Sequence, residues 1–438
     1  MIEINARLSR GAVYFRSETI KCVVTLTNVT PVPVSNHHNR NHNDKVNHTV
    51  GTSNGKAIQP KDSDFSETLC WAGVQLHCYC SVDETKVVQN ESPLMAAVIS
   101  STDTSFNPCL MKGEKGRVLF SSSPKILFCD LKLMPNESKS FVYNETVPDW
   151  VPPSYNGLKV KYQYKLSIGT QRINSSIQLL RIPIRILTID IPIGLVTDSM
   201  KINHQNYELN NDCNNDINRK DSVVSNHSVN HTYEPIDFSN ESVLDVSLHR
   251  LDCLTAKRCP QSYVITNPFG KVAKLCIMKS TYKLGEDIVG IFSFNESTVP
   301  CVQFSVTLQC DETIQEEYRV KDLKPSSYTQ TTSYSNYNEF CLHMNHTQMV
   351  LTVPLTITPT FTSDLVSLSW KLHFEFVTAK PEDVRNTVTQ DSQGVSEQSP
   401  PFLNVQTMVW DLPICLFATH PIQVARGFQM PAASTLTV

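Results

Sequence analysis

An all-β protein built from two β-sandwiches in tandem is predicted by three features of this chain. Apolar residues recur at spacing two over many short runs, clusters of Pro, Asn, Ser and Gly separate those runs, and the pattern of the first half returns in the second. Alternation at spacing two places every second side chain on one face of a sheet, which is the pattern of a strand with one buried side. A length of 438 residues suits two or three domains, and the 40% hydrophobic content supports packed cores over most of it.

The elements follow in order. Leu8 to Thr27 alternates, with Val13, Phe15 and then Ile20, Cys22, Val24 and Leu26 on one side. Residues 31–66 are rich in Asn, His, Asp and Lys with almost nothing to bury, so a disordered insertion between two strands is expected. Alternation resumes from Leu69 to Cys80, pauses over a soft stretch of about 84–115, and returns at Val118 to Phe120, Ile126 to Leu133, Lys139 to Tyr143, Val160 to Ile168 and Ser176 to Ile189. The first sandwich is thus placed at 1–192. An Asn-rich linker is expected over 193–260, with a short helix from Glu241 to Leu251. A second sandwich is placed at 261–418, with polar interruptions near Pro325 to Asn338 and Pro381 to Pro400, and residues 419–438 are expected to form a loose tail.

The internal repeat is the most informative signal. Tyr14, Glu18, Ile20, Val24 and Leu26 find counterparts at one constant offset in Tyr282, Glu286, Ile288, Phe292 and Phe294. Val74-Gln75-Leu76 recurs as Val302-Gln303-Phe304, and Tyr162, Tyr164, Leu166, Ile168 as Trp370, Leu372, Phe374, Phe376. Each block closes on a Pro-Ile step, at Pro183-Ile184 and Pro413-Ile414. A proline cannot donate to a ladder and belongs on an edge or at a bulge, so its recurrence implies one sandwich topology used twice.

Several function classes are disfavoured. Lys plus Arg is 38 against 42 for Asp plus Glu, a net charge of −4, which provides no basic face for nucleic acid. Gly is scarce, at 14 residues, and the chain holds no P-loop, no Gly-x-Ser-x-Gly, no His-Glu-x-x-His and no Gly-x-Gly-x-x-Gly. No cofactor is expected, and the chain is expected not to be an enzyme. The first residues show no apolar leader, and the most apolar stretch, Ile182 to Val196, is broken by Pro183, Arg185, Asp190 and Pro192. A cytoplasmic protein with reduced cysteines is expected, in which Asn-x-Ser/Thr triplets such as that at Asn28 are inert.

Among candidate chemical groups, Cys70, His77, Cys78 and Cys80 evoke a metal site, but without Cys-x-x-Cys knuckles buried thiols on a sheet face account for them better. His37, His38, His42 and His48 lie in the low-complexity insertion. Gln171, Arg172 and Asn174 fall at a hairpin, and Lys125 and Asp130 flank Ile126-Leu127-Phe128-Cys129. For these, two accounts stand side by side: solvated turn and strand-terminus residues, or contacts to a partner. Lys125, Asp130, Gln171 and Arg172 are the partner-contact candidates.

Tyr282 to Gly290 resembles the opening hairpin of arrestin-fold domains, and the repeated Leu-Pro-Ile edge is similar to a strand of that fold. Longer stretches resemble the Rgp family: Met1 to Glu3 leading to Leu8 to Gly11, Pro124 to Leu131 with Glu137 to Ser140, Val160 to Tyr162 through Leu179 to Arg181, Tyr282 to Asp287, Leu372 to Thr378 and Trp410 to Ile414. The resemblance implies two tandem immunoglobulin-like sandwiches in an arrestin-like arrangement. It also implies a non-catalytic partner of Ric in the heterodimeric exchange factor for the Golgi Rab-six-type GTPase, acting in retrograde endosome-to-Golgi traffic. Membrane attachment would then be peripheral, through the complex. An arrestin-type cargo adaptor is the alternative, for which Pro152-Pro153-Ser154-Tyr155 superficially supplies a Pro-Pro-x-Tyr motif.

Overall fold

The computed structural model describes residues 1–29, 65–88, 116–189, 242–256, 258–321, 323–384, 387–391, 394–398 and 402–438. Most of the expected insertion and linker lies outside these residues. Two all-β sandwiches are present, as the alternation predicts. The first contains β1 (Ile2–Leu8), β2 (Val13–Phe15), β3 (Thr19–Asn28), β4 (Glu67–Val82), β5 (Arg117–Ser121), β6 (Lys125–Leu133), β7 (Ser138–Thr146), β8 (Tyr155–Asn156), β9 (Val160–Gln171) and β10 (Gln178–Leu187). The second contains β11 (Gln261–Asn267), β12 (Gly270–Ile277), β13 (Thr281–Lys283), β14 (Asp287–Ser293), β15 (Cys301–Ile314), β16 (Thr329–Phe340), β17 (His346–Thr352), β18 (Phe361–Thr362), β19 (Val366–Ala379) and β22 (Val405–Phe417). A hairpin of β20 (Thr387–Asp391) and β21 (Gly394–Gln398) precedes β22. Helix α1 (Val243–Ala256) leads into the second sandwich, and α2 (Pro421–Gly427) with β23 (Ala433–Thr437) ends the chain.

The two topologies match along their main strand orders, with β6, which pairs with β4, an extra strand of the first sandwich. One sheet of the first sandwich runs β23-β1-β3-β7 and its counterpart runs β11-β12-β14-β17. The facing sheets run β2-β10-β9-β4-β5 and β13-β22-β19-β15-β16. The repeated Tyr and Glu explain the shared corner. Glu18 accepts a hydrogen bond from Phe15 N at 2.6 Å and pairs with Arg10 at 2.6 Å, while Arg10 lies 5.0 Å from the Tyr14 ring centre. Glu286 accepts from Lys283 N at 2.9 Å and pairs with Lys279, which lies 5.1 Å from the Tyr282 ring centre. In each corner one carboxylate closes a turn whose preceding residue, Ser17 or Gly285, has positive φ.

The prolines also align. Pro183 lies opposite Lys165 and Pro413 opposite Lys371, each two residues before the strand gains its short parallel neighbour, β2 or β13. On that side the proline meets no ladder, as an imide requires. Counted from the prolines, Tyr164 matches Trp370 and Val74 matches Val306. The repeat read from sequence for these two strands is therefore shifted by an even number of residues. An even shift keeps every side chain on its face, so the alternation alone cannot detect it.

Three expectations are corrected. Residues 419–438 are not a loose tail. His420 caps α2 by accepting from Ile422 N at 3.2 Å, and β23 pairs antiparallel with β1, from Glu3 opposite Thr437 to Arg7 opposite Ala433. Leu436 and Val438 pack against the core of the first sandwich. The pairing partner lies at the far end of the sequence, which no local pattern reveals. The interruption at Pro325 to Asn338 largely forms β16, an edge strand whose Thr, Ser, Asn and Tyr suit a strand with little buried surface on either face. The segment Ile2–Leu8, which precedes the alternation expected from Leu8 onward, is β1, with Ile2, Ile4, Ala6 and Leu8 all buried.

The expected helix is present as α1, one turn longer than its pattern. Ser242 caps it, its Oγ accepting from Asp245 N at 3.2 Å, and Leu251 and Thr255 are buried. Lys279 Nζ donates to Thr255 O at 3.2 Å and Lys283 pairs with Asp252 at 2.5 Å, so α1 packs on the second sandwich.

Candidate interaction surfaces

A buried carboxylate sits at the centre of the seam that joins the two sandwiches. On β15 the inward positions are Phe304, Val306, Leu308, Cys310, Glu312 and Ile314, so Glu312 interrupts an apolar stripe. Its Oε1 accepts from Lys159 N and Val160 N and its Oε2 from Leu158 N, all at 3.0 Å. Three consecutive N–H groups aimed at one buried carboxylate form an anion-holding nest. Around it, Lys159 Nζ donates to Ser327 O at 2.8 Å, Tyr162 and Ser363 hydroxyls meet at 3.0 Å, and the Tyr155 and Phe361 rings lie 5.2 Å apart. Arg185 donates to Ile357 O at 3.1 Å and stacks over Phe428, and burial pulls its guanidinium down to about 10. Val13, Phe15, Val160, Tyr162 and Leu187 of the first sandwich join the apolar core of the second. Such a seam holds the sandwiches at a set angle, since an interface that is apolar and hydrogen-bonded resists domain motion.

The four candidate residues fall in three settings: Gln171 with Arg172, Lys125, and Asp130. Trp71 on β4 is flanked by Gln171 on β9 and Cys129 on β6, so Gln171 and Asp130 approach one end of the same sheet. Gln171 accepts from Trp71 Nε1 at 3.1 Å and donates to Ser175 O at 2.7 Å. Arg172 pairs with Glu67 and donates to Val438 O at 2.9 Å. Burial would raise the Glu67 carboxyl, but hydrogen bonds from the Met1 ammonium and from Arg172 hold it down at about 2. Gln171 and Arg172 thus spend their polar groups inside the chain, tying the β9–β10 hairpin to β4 and to the strand that ends the chain. Lys125 lies near the other end of β6, opposite Val74, where it pairs with Glu145 of β7 at 2.8 Å. Asp130 is exposed and has φ of +56°, so it marks a backbone irregularity in β6.

The remaining candidates have structural settings. Cys78 and Cys80 are buried on one face of β4, and burial pushes the Cys80 thiol up to about 12 and the Cys78 thiol higher still, as expected for packed thiols. The four-histidine cluster lies outside the described residues. Pro152-Pro153-Ser154-Tyr155 is held in place: Tyr164 Oη donates to Pro152 O at 2.5 Å, Ser154 N donates to Ile186 O at 2.9 Å, and Tyr155 is buried. A cleft of about 540 Å³ opens beside the domain seam, lined by Asp83, Glu84, Arg117, Lys159 and Lys161 among others. Asp83 there is held by Thr85, which lowers its carboxyl, and Lys159 by Ser327. Among the described residues, no helix is long and apolar enough to cross a membrane.

The geometry defines a double β-sandwich protein joined along a buried seam. Comparison with known proteins makes this specific. A family model described as Rgp1 matches residues 111–194 and 194–379, and the chain belongs to that family. It is 35% identical over 441 residues to human RAB6A-GEF complex partner protein 2, covering 100% of both chains. It is likewise 35% identical to the protein of that name from Bos taurus, covering 96% of this chain and 95% of the relative.

Glu312 is not among the candidates the sequence nominates, although a carboxylate at an inward position of an alternating strand is a local signal. The clasp of β23 on β1 left no comparable local trace.

Proposed function

We propose that this chain is the non-catalytic partner subunit of a guanine-nucleotide exchange factor complex that activates a Rab-six-type GTPase in retrograde endosome-to-Golgi transport, with Ric as the larger subunit. The end-to-end likeness to proteins named as complex partners carries the reading. The latched pair of sandwiches suits it physically. Exchange requires a partner that favours the nucleotide-free GTPase, opening its switch regions and disturbing the contacts to magnesium and phosphate. A stiff, complementary surface performs that work, and a rigid subunit loses little conformational entropy when it docks. Peripheral attachment to Golgi membranes would come through the assembled complex. The cargo-adaptor reading is weakened by the burial of Tyr155, because a Pro-Pro-x-Tyr ligand must be free to extend into its receptor.

The test is GDP release from the Rab, measured with Ric alone, this chain alone and the two together. Release restored only by the pair supports the proposal. Full release by stable Ric alone removes it.

A further inference from the structure

The strand that closes the second sandwich has a long open edge. β22 pairs with β19 over an uninterrupted ladder from Val405 opposite Ala379 to Ile414 opposite Trp370. On its other side only Cys415 to Phe417 have a neighbour, β13. The direction of the free groups follows from two observations. Cys415 N donates outward to Ser280 O at 2.9 Å, and Pro413, which has no N–H, faces the same way. Hydrogen-bonding direction alternates along a strand. The N–H and C=O groups of Val405, Thr407, Val409 and Asp411 therefore point away from β19, along an edge that no described strand covers.

Natural edges are blunted by lysine, proline, a bulge or a covering segment. Val405 to Leu412 carries no Lys, Arg or Pro, and its ladder shows no register shift. Val405 and Val409 are 45% and 62% exposed. The equivalent edge of the first sandwich differs: β10 begins only at Gln178, five residues before its proline, and carries Arg181. The charges beside the β22 edge are unequal in reach. Asp411 pairs with Lys371 at 3.0 Å and His373 at 2.5 Å, but the row stays net acidic, because Asp311, Asp411 and Glu375 share only Lys371 and His373, and Glu375 and Asp411 remain 51% and 44% exposed.

We propose that the Val405–Asp411 edge of β22 is a docking site for an extended strand of the partner subunit, with apolar side chains to cover Val405 and Val409 and a Lys or Arg near Asp411. The free backbone groups dictate the extended conformation, the valines the apolar positions, and the projecting carboxylates the cation. The inference rests on the functional reading above for which protein donates the strand.

The experiment is amide hydrogen exchange on the full chain, alone and in the complex reconstituted with the larger subunit. The amides of Thr407, Val409 and Asp411 are expected to exchange at least about tenfold more slowly in the complex. Val409→Pro, which deletes an outward N–H as Pro413 already does, and Val409→Lys, which leaves the backbone intact, are each expected to weaken association by about tenfold or more. If the complex forms with wild-type chain but these amides stay unprotected and both variants bind normally, the docking site is wrong and the functional reading survives. If no complex forms at all, the functional reading falls and takes the donor of the strand with it. Edge protection that instead grows with the concentration of the isolated chain identifies a second copy as occupant and overturns the proposal.

Discussion

The second sandwich takes the outer strand of its smaller sheet, β11, from the segment that leads into it, whereas the first takes the equivalent strand, β23, from the opposite end of the chain. β11 and β12 form a local hairpin, closed by Asn267 Oδ1 accepting from Phe269 N and Gly270 N at 2.9 and 3.1 Å. β1 instead waits for a strand more than four hundred residues away, so the first sandwich is complete only when the second has been made and α2 has carried the chain back. The same topology is thus a local unit in one copy and a closure of the whole molecule in the other. The faces differ as well. Gln75, His77, Tyr79 and Ser167 on the outward side of the first sandwich's larger sheet are buried, while on the second Glu375 and Asp411 stand exposed beside half-buried Lys371 and His373.

The seam offers the largest way to break this comparison. Glu312→Ala leaves the N–H groups of Leu158, Lys159 and Val160 unpaired in a buried site, at a cost of about 3 kcal/mol or more. Calorimetry is expected to show one transition separating into two, and an unchanged single transition would show that the rest of the seam suffices without this carboxylate. Next comes removal of residues 431–438. It strips β23 from β1 and is expected to cost about 2–4 kcal/mol. Amide exchange is expected to accelerate in Ile2–Leu8 and to stay unchanged in β11 and β12. Equal acceleration in both sandwiches would mean that the closure supports the whole molecule.

Acid sharpens the contrast between the two outward faces. Burial, and secondarily Arg181, hold His77 down at about 4. With an unfolded value near 6.5, the unfolded chain binds the extra proton first, so stability is present above about pH 6.5 and is lost as pH falls towards 4. Between pH 7 and 5 the loss is about 2 kcal/mol, and His77→Gln is expected to flatten that part of the profile of Tm against pH. A profile unchanged by the substitution would place the acid sensitivity elsewhere.

The smallest effect compares the twin corners. Ser17 holds φ of +64° where its counterpart Gly285 holds +82°. Ser17→Gly is expected to be neutral to slightly stabilising, within about 0.5 kcal/mol, because relief of strain is offset by a freer unfolded chain. Gly285→Ala is expected to cost about 1–2 kcal/mol, since its Cβ would come within 2.8 Å of Leu355 Cδ2 as well as adopting a left-handed φ. Equal responses at the two corners would contradict their different surroundings.

Much of the architecture is legible in the sequence. The constant offset joining Tyr14 and Glu18 to Tyr282 and Glu286 marks a corner that recurs down to its hydrogen bonds, because the carboxylate that closes the turn accepts from the backbone N–H three residues before it in both copies. The paired prolines mark equivalent edges for an equally local reason. The candidate residues fared differently. Arg172 looked like a residue of a solvated hairpin, and only the fold brings Glu67 and Val438 to its guanidinium.

Alternation, turn chemistry and the repeat determined on their own that two sandwiches would form and which side chains face their cores, since these depend on the period of a strand and on neighbours within a few residues. Which strand completes which sheet, where Glu312 finds its three donors, and which edge of β22 stays open were decided by tertiary structure alone. Backbone hydrogen-bonding groups are alike at every residue, so the pairing of distant strands depends on where packing brings them together rather than on any mark they carry themselves.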